Sequence, residues 1–238
     1  MKIRYILSSV ALASLSLTSC SDLDTAPEGN IITSDKKGEI LEEMPERGLA
    51  GVRAIFQGLS AYEPNYEAFG KIERHNDIGY PSVLMFTDAN TEDVVSDPNG
   101  YNWNGNSLDY SDRTYTSYES QMVWNDHYNA IYVANTVIKG YNTGEDPTNQ
   151  EARFFYAQGL AARAYFYFNL AQLYQFTYKD NETKPCIPVV TDENTAKSQV
   201  EGTPCSTVEE TYTQIKSDID HAITLLEGTS YEREDKRY

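Results

Sequence analysis

Apolar and polar positions in this chain recur with a helical rather than a strand period. The densest apolar run, residues 151–174 (EARFFYAQGLAARAYFYFNLAQLY), contains no proline and one glycine. At 100° per residue, Ala157, Ala161, Ala164 and Ala171 fall on one narrow face and Phe155, Ala162, Phe166 and Leu173 on the opposite one. A small-residue face lets another backbone come close, while a bulky face fills a hole in a second neighbour. This helix is therefore expected between two others in a stacked array; the plainer alternative is the central helix of an ordinary bundle. Its polar residues, Arg153, Gln158, Arg163, Asn169 and Gln172, are spread round the remaining arc.

Similar spacing places further helices. Leu49, Val52, Phe56 and Leu59 recur at three and four from Glu46 and stop before Pro64. Pro81 opens a shorter helix within 76–95, since a proline is well tolerated in a first turn. From Tyr118, the residues Trp124, Tyr128, Ile131, Asn135 and Ile138 form one stripe, with Gly140 as the expected stop. Asn135 sits in that apolar stripe, so its amide is expected to tie the helix to a neighbouring backbone. Capping boxes are read at Thr148–Glu151 and Ser206–Glu209. The last helix carries Val208, Tyr212, Ile215, Ile219, Ala222 and Leu226 on one face and ends at Gly228. Between the last two helices, 184–190 (KPCIPVV) reads as a short extended segment fixed by two prolines. Cys186 and Cys205 flank this excursion and are candidates for a disulfide; spacing leaves open whether their α-carbons meet.

Two stretches break the helical pattern. Residues 96–120 lose periodicity and become rich in Asn, Gly, Asp, Ser and Tyr, with Trp103 among them. Loops this long inside a compact chain are usually functional or disordered, and aromatic content argues against disorder. The other stretch is the N-terminus. Lys2 and Arg4 precede an apolar run from Ile6 to Leu17, too short to span a bilayer, and then Leu17-Thr18-Ser19-Cys20. That ending resembles the bacterial lipoprotein signal, in which cleavage leaves the cysteine first and lipidated. Residues 1–19 are then a signal peptide, Cys20 the lipidation site, 20–45 a polar tether, and 46–238 a helical domain. A secretory peptide cut near Ser19 is the alternative. No polar capping helix follows the last one before 231–238, so the array is expected to continue beyond this chain.

Composition narrows function. Among 238 residues, 36 Asp and Glu face 19 Lys and Arg, for a formal charge of −17. Such a surface repels phosphate backbones, which argues against nucleic acid, and an anionic bilayer, which leaves a covalent anchor as the membrane tie. The chain contains no HExxH, Gly-x-Ser-x-Gly, Walker A or dinucleotide fingerprint, and His75, His127 and His221 lie far apart. No enzyme, cofactor or metal site is therefore assigned. Residues 88–93 (DANTED) alternate oxygen ligands like the start of a calcium loop but lack the glycine at position six, so they read as a solvated acidic turn. The best functional candidates are Trp103, Tyr101 and Tyr110 in 96–120. Sugar rings present an apolar C–H face to flat aromatics, while Asn and Asp take the hydroxyls. Trp103 is either such a stacking platform or a ring that pins the loop.

The order and spacing of Cys20-Ser21-Asp22, WNDHYNAIYVANTVI at 124–138, the 152–174 helix, the 185–191 strand and the 206–226 helix resemble the SusD/RagB family. Its members are surface lipoproteins of Bacteroidetes. The resemblance implies an all-α, tetratricopeptide-like helical array with long irregular loops, lipid-anchored at the cell outer membrane and facing outward. It also implies binding of nutrients, chiefly glycans, in partnership with a TonB-dependent transporter of the SusC type. It covers only the family's N-terminal portion. The strict tetratricopeptide signature is absent, because His127-Tyr128 and Gln158-Gly159 stand where Leu-Gly is expected.

Overall fold

The computed structural model describes residues 34–44, 46–57, 79–95, 102 and 104–228. The signal peptide, Cys20, Leu59, the side chain of Phe56 and residues 231–238 lie outside the described residues. Among those described there are eight helices and no strand: α1 (Ser34–Glu43), α2 (Glu46–Gln57), α3 (Tyr80–Ala89), α4 (Gly105–Leu108), α5 (Tyr118–Tyr141), α6 (Gln150–Tyr174), α7 (Thr195–Glu201) and α8 (Val208–Leu226). The all-α array is thus observed, with α6 packed between α5 and α8 as its two faces require.

Phe155 and Phe166 are 1% and 0% exposed, and Ala157, Ala164 and Ala171 are buried. A Cβ on Gly159 would lie 3.2 Å from both Val137 and Ile138, so this glycine is what lets α5 and α6 approach. The bulky face fails at Leu173, which is 45% exposed.

Several boundaries differ from the sequence expectation. Residues 34–43 of the expected tether are helical, and Leu41 is buried where α1 meets α5. Gly140 does not stop α5; it lies inside the helix, and a Cβ there would come 2.8 Å from the Leu41 side chain. That glycine serves a close crossing. Both caps sit one residue later than expected. Asn149 Oδ1 accepts from the amides of Glu151 and Ala152, and Thr207 forms the box with Glu210. In α8 the buried positions are Val208, Thr211, Asp218, Ala222 and Leu225, leaving Ile219 and Leu226 partly exposed. The helix is rotated because Asp218 faces inward.

Asp218 faces inward to meet Arg163, which the sequence placed on a polar arc but which is 4% exposed. Its Nε and Nη2 donate to the two carboxylate oxygens of Asp218 at 2.8 and 2.7 Å, and Nη1 donates to Asp192 Oδ1 at 2.9 Å and Asn135 Oδ1 at 2.8 Å. Burial alone would lower its pKa; the hydrogen bonds and charges of Asp218 and Asp192 raise it above the ordinary guanidinium value. Asn135 then donates to Val190 O at 2.8 Å, as its place in an apolar stripe required.

The 184–190 segment is extended but makes a single antiparallel bridge, Pro185 to Thr207. Backbone hydrogen bonds join its first half to 206–208, Cys186 N donating to Ser206 O at 2.7 Å and Ser206 N to Ile187 O at 2.9 Å, and side chains hold its second half. Tyr128 Oη donates to Pro188 O at 2.7 Å, and Tyr167 Oη donates to Val190 O at 2.6 Å while accepting from Val190 N at 2.7 Å. The disulfide candidates are both free thiols, Cys186 buried and Cys205 exposed. Cys186 turns inward beside Thr211, and its burial pushes the thiol pKa up.

Burial also holds the phenols of Tyr128, Tyr167 and Tyr174 above their ordinary value and pushes Tyr156 up to about 12. A raised folded-state pKa contributes stability that is complete below the unfolded value, about 10 for tyrosine, and is lost as pH climbs through the folded one. The urea midpoint should therefore fall above about pH 10, with the Tyr156 share gone by about pH 12. Replacing Tyr156 by Phe should flatten that fall.

Candidate functional site

The connection between α5 and α6 is short, so these helices run antiparallel and the start of α5 lies beside the end of α6. Tyr174 Oη donates to Ser120 O, and the Tyr174 ring meets Trp124 edge-on at 5.1 Å. Trp124 also lies against Tyr128 at 4.7 Å. Against this aromatic wall the chain before α5 folds into a turn that reaches the end of α3.

An open groove of about 1100 Å³ lies between them. Its floor and far wall are Val123, Trp124, Leu173 and Tyr174; Phe86 of α3 and Asn90, which caps that helix, form one side, and the 112–117 turn the other. The apolar surface is aromatic and aliphatic. The rim is hydroxyl and amide, with Thr114, Thr116, Ser117, Gln121 and Gln172 among its members. Tyr115 stands on the rim at 98% exposure. Flat apolar rings beside many neutral donors and acceptors suit a ligand with the same mixture.

The turn is locked from behind. Arg113 Nε donates to Asn90 Oδ1 at 3.0 Å and Nη2 to Asn90 O at 2.7 Å, while the guanidinium lies 4.0 Å over the Tyr110 ring. Asn90 Nδ2 donates to Asp112 Oδ2 at 3.1 Å. Ser117 caps α5 by accepting from Ser120 N, and Ser120 Oγ donates to Thr114 O at 3.1 Å. Tyr110 holds φ at +56°, a left-handed value uncommon outside glycine, just before this turn.

Of the candidate ligand residues, Trp103 and Tyr101 lie outside the described residues. Tyr110 is exposed, but one ring face is occupied by Arg113, so it braces the turn and does not line the groove. Sequence reasoning missed Trp124, which it placed in an apolar stripe, and also Tyr174, Tyr115, Asp112 and Arg113. Helical spacing marks Trp124 as core. Nothing in that spacing shows that helix ends stop short of covering it. In 88–93, Thr91 Oγ1 donates to Asp88 O, and Glu92 and Asp93 are exposed, an acidic turn. Among the described residues no group of three or more His, Cys, Asp or Glu could hold a metal, and no helix is long and apolar enough to cross a membrane.

No curated protein matches the chain. Among solved structures it is similar to a SusD-like carbohydrate binding protein from Bacteroides vulgatus ATCC 8482, at 23% identity and a TM-score of 0.64, covering 80% of this chain and 37% of that one. A SusD superfamily protein from Bacteroides thetaiotaomicron VPI-5482 aligns at 18% identity and a TM-score of 0.45, over 77% of this chain and 37% of that one. The chain thus spans little more than a third of the structures it matches. The first likeness shows a shared helical fold. Residues 78–237, more than half of the chain and the part that builds the groove, match the model of a SusD-like family described as "Starch-binding associating with outer membrane". With that match lying on the α3 to α8 scaffold just described, the chain belongs to the SusD-like family.

Proposed function

We propose that this protein is a lipid-anchored, cell-surface binding protein for oligosaccharides, without catalytic activity, that works with a TonB-dependent outer-membrane transporter. The groove between α3, the 112–117 turn and the facing ends of α5 and α6 carries this assignment, because it joins apolar rings to a rim of hydroxyls and amides. A sugar stacks its C–H face on Trp124, Leu173 or Tyr115 and passes its hydroxyls to the rim. Trp103 and Tyr101 precede this turn in sequence and are further candidates for stacking on a sugar. Cys20 supplies the anchor, with Ser21 and Asp22 beyond it, and the acidic chain has no electrostatic hold on an anionic bilayer of its own. The name of the similar Bacteroides vulgatus structure, a carbohydrate binding protein, supports the ligand class.

Tyr115 gives the test with the smallest structural side effect, since its side chain is almost wholly in solvent. In calorimetric titration of the full chain with oligosaccharides, Tyr115→Ala should weaken binding about fivefold to tenfold, the scale of one aromatic contact, with an unchanged unfolding midpoint. Affinity that is unmoved for every oligosaccharide bound would place the site elsewhere.

A further inference from the structure

We infer that the groove selects uncharged, hydroxyl-rich chains, and that Asp112 is the acceptor that fixes one ligand hydroxyl. This rests on the groove being the oligosaccharide site proposed above, and it concerns which oligosaccharides enter.

The charge of the lining departs from that of the protein. In a chain of formal charge −17, the groove is lined by one acid, Asp112, and one base, Arg113; its remaining polar lining is hydroxyl and amide. Arg113 is engaged from two sides, by Asn90 through two hydrogen bonds and by the Tyr110 ring. Asn90 thus takes the Nε–Nη2 edge of the guanidinium, the side-on fork that would otherwise grip a carboxylate or sulfate. An anionic chain would meet the field of the whole protein without that compensation. A cationic chain, though drawn by that same field, would meet Arg113 inside the groove.

Asp112 is the unusual group. It is 1% exposed, and its Oδ2 accepts from Asn90, but Oδ1 is buried with no hydrogen-bond partner among the described residues. A buried acceptor left unpaired is costly, and native proteins rarely keep one without use. Here it stands in the wall of the groove. An acceptor buried this closely suits one slender donor, a hydroxyl of the ligand or a water the ligand holds, better than an ammonium group with its larger hydration shell. Asp112→Asn keeps the shape and the link to Asn90 while replacing the free acceptor by an amide N–H₂.

The test is calorimetric titration of the full chain with hexasaccharides of neutral glucan, mannan and xylan, with hexagalacturonate, and with the chitosan hexamer. Binding of at least one neutral hexamer, with both charged hexamers about tenfold weaker or absent, is the expected pattern. Asp112→Asn should weaken the neutral ligand about tenfold or more, the effect of losing a hydrogen bond to a charged group, without lowering the unfolding midpoint. Removal of one ligand hydroxyl by deoxygenation should cost as much in the parent protein and nothing further in Asp112→Asn; the deoxy series alone decides the matter if that variant does not fold. A charged hexamer that binds tightest, and is lost with Tyr115→Ala, overturns the charge selection and leaves the oligosaccharide site standing. Unchanged neutral affinity in Asp112→Asn, or a deoxy series with no sensitive position, overturns the role of Asp112. Binding of no oligosaccharide at all overturns the proposed function itself.

Discussion

Replacing Arg163 by methionine is expected to destabilise the fold by about 3–5 kcal/mol, the usual cost of removing one partner from a buried ion pair. The guanidinium joins three parts of the array: Asp218 on α8, Asn135 on α5, and Asp192 in the segment between α6 and α8. Without it two carboxylates at 3% and 9% side-chain exposure lose their cation, keeping the neutral donors Gln214 and Asn142 among the described residues. Replacing Arg163 and Asp218 together, by Met and Leu, should restore much of the loss, because the penalty arises from the stranded charge rather than from the pair itself. Urea unfolding followed by circular dichroism checks both. A single-variant loss below about 1 kcal/mol would mean that α8 is held by apolar packing alone.

Tyr167 gives the second large effect, and it separates into two parts. The ring is 0% exposed at the centre of α6, and its hydroxyl both donates to and accepts from Val190. Tyr167→Ala should cost about 3–5 kcal/mol through the cavity left in the core. Tyr167→Phe removes only the hydroxyl, and should cost about 1–3 kcal/mol by freeing the 184–190 segment from α6. Asn135 still donates to Val190 O in that variant, which keeps the loss toward the lower figure. Chemical denaturation of the pair measures the division. Equal losses would show that the hydroxyl, rather than the ring volume, carries the residue's contribution.

These two residues also show what the sequence discloses. Asn135 lies in an apolar stripe, and periodicity assigns it to the core, where it is found, whereas Tyr167 is buried between the two faces that periodicity marks on its helix. The amide of Asn135 even announced its need for a backbone partner. Arg163 looked like any other polar residue in the 151–174 helix, because a charge pairs across helices with groups 29 and 55 positions away that no local pattern links to it. Gly140 was taken for a helix stop, since a crossing glycine and a terminating one look alike until the partner, Leu41, is known. The site follows the same logic. The 112–117 turn that forms one side of the groove belongs to the aromatic-rich 96–120 stretch, but the other walls are the ends of α3, α5 and α6, brought together by the antiparallel packing of α5 on α6. Trp124 belongs at once to the core stripe and to the groove wall, and a single helical period cannot express both.

The chain has two tryptophans, Trp124 in the groove wall and Trp103 in the aromatic stretch before the turn, so its ¹H–¹⁵N spectrum holds two indole signals. Titration with the oligosaccharide bound most tightly in calorimetry should move the Trp124 signal, with the saturation curve of the calorimetric Kd. Saturable binding that leaves both indole signals in place would contradict the assignment of this groove as the site.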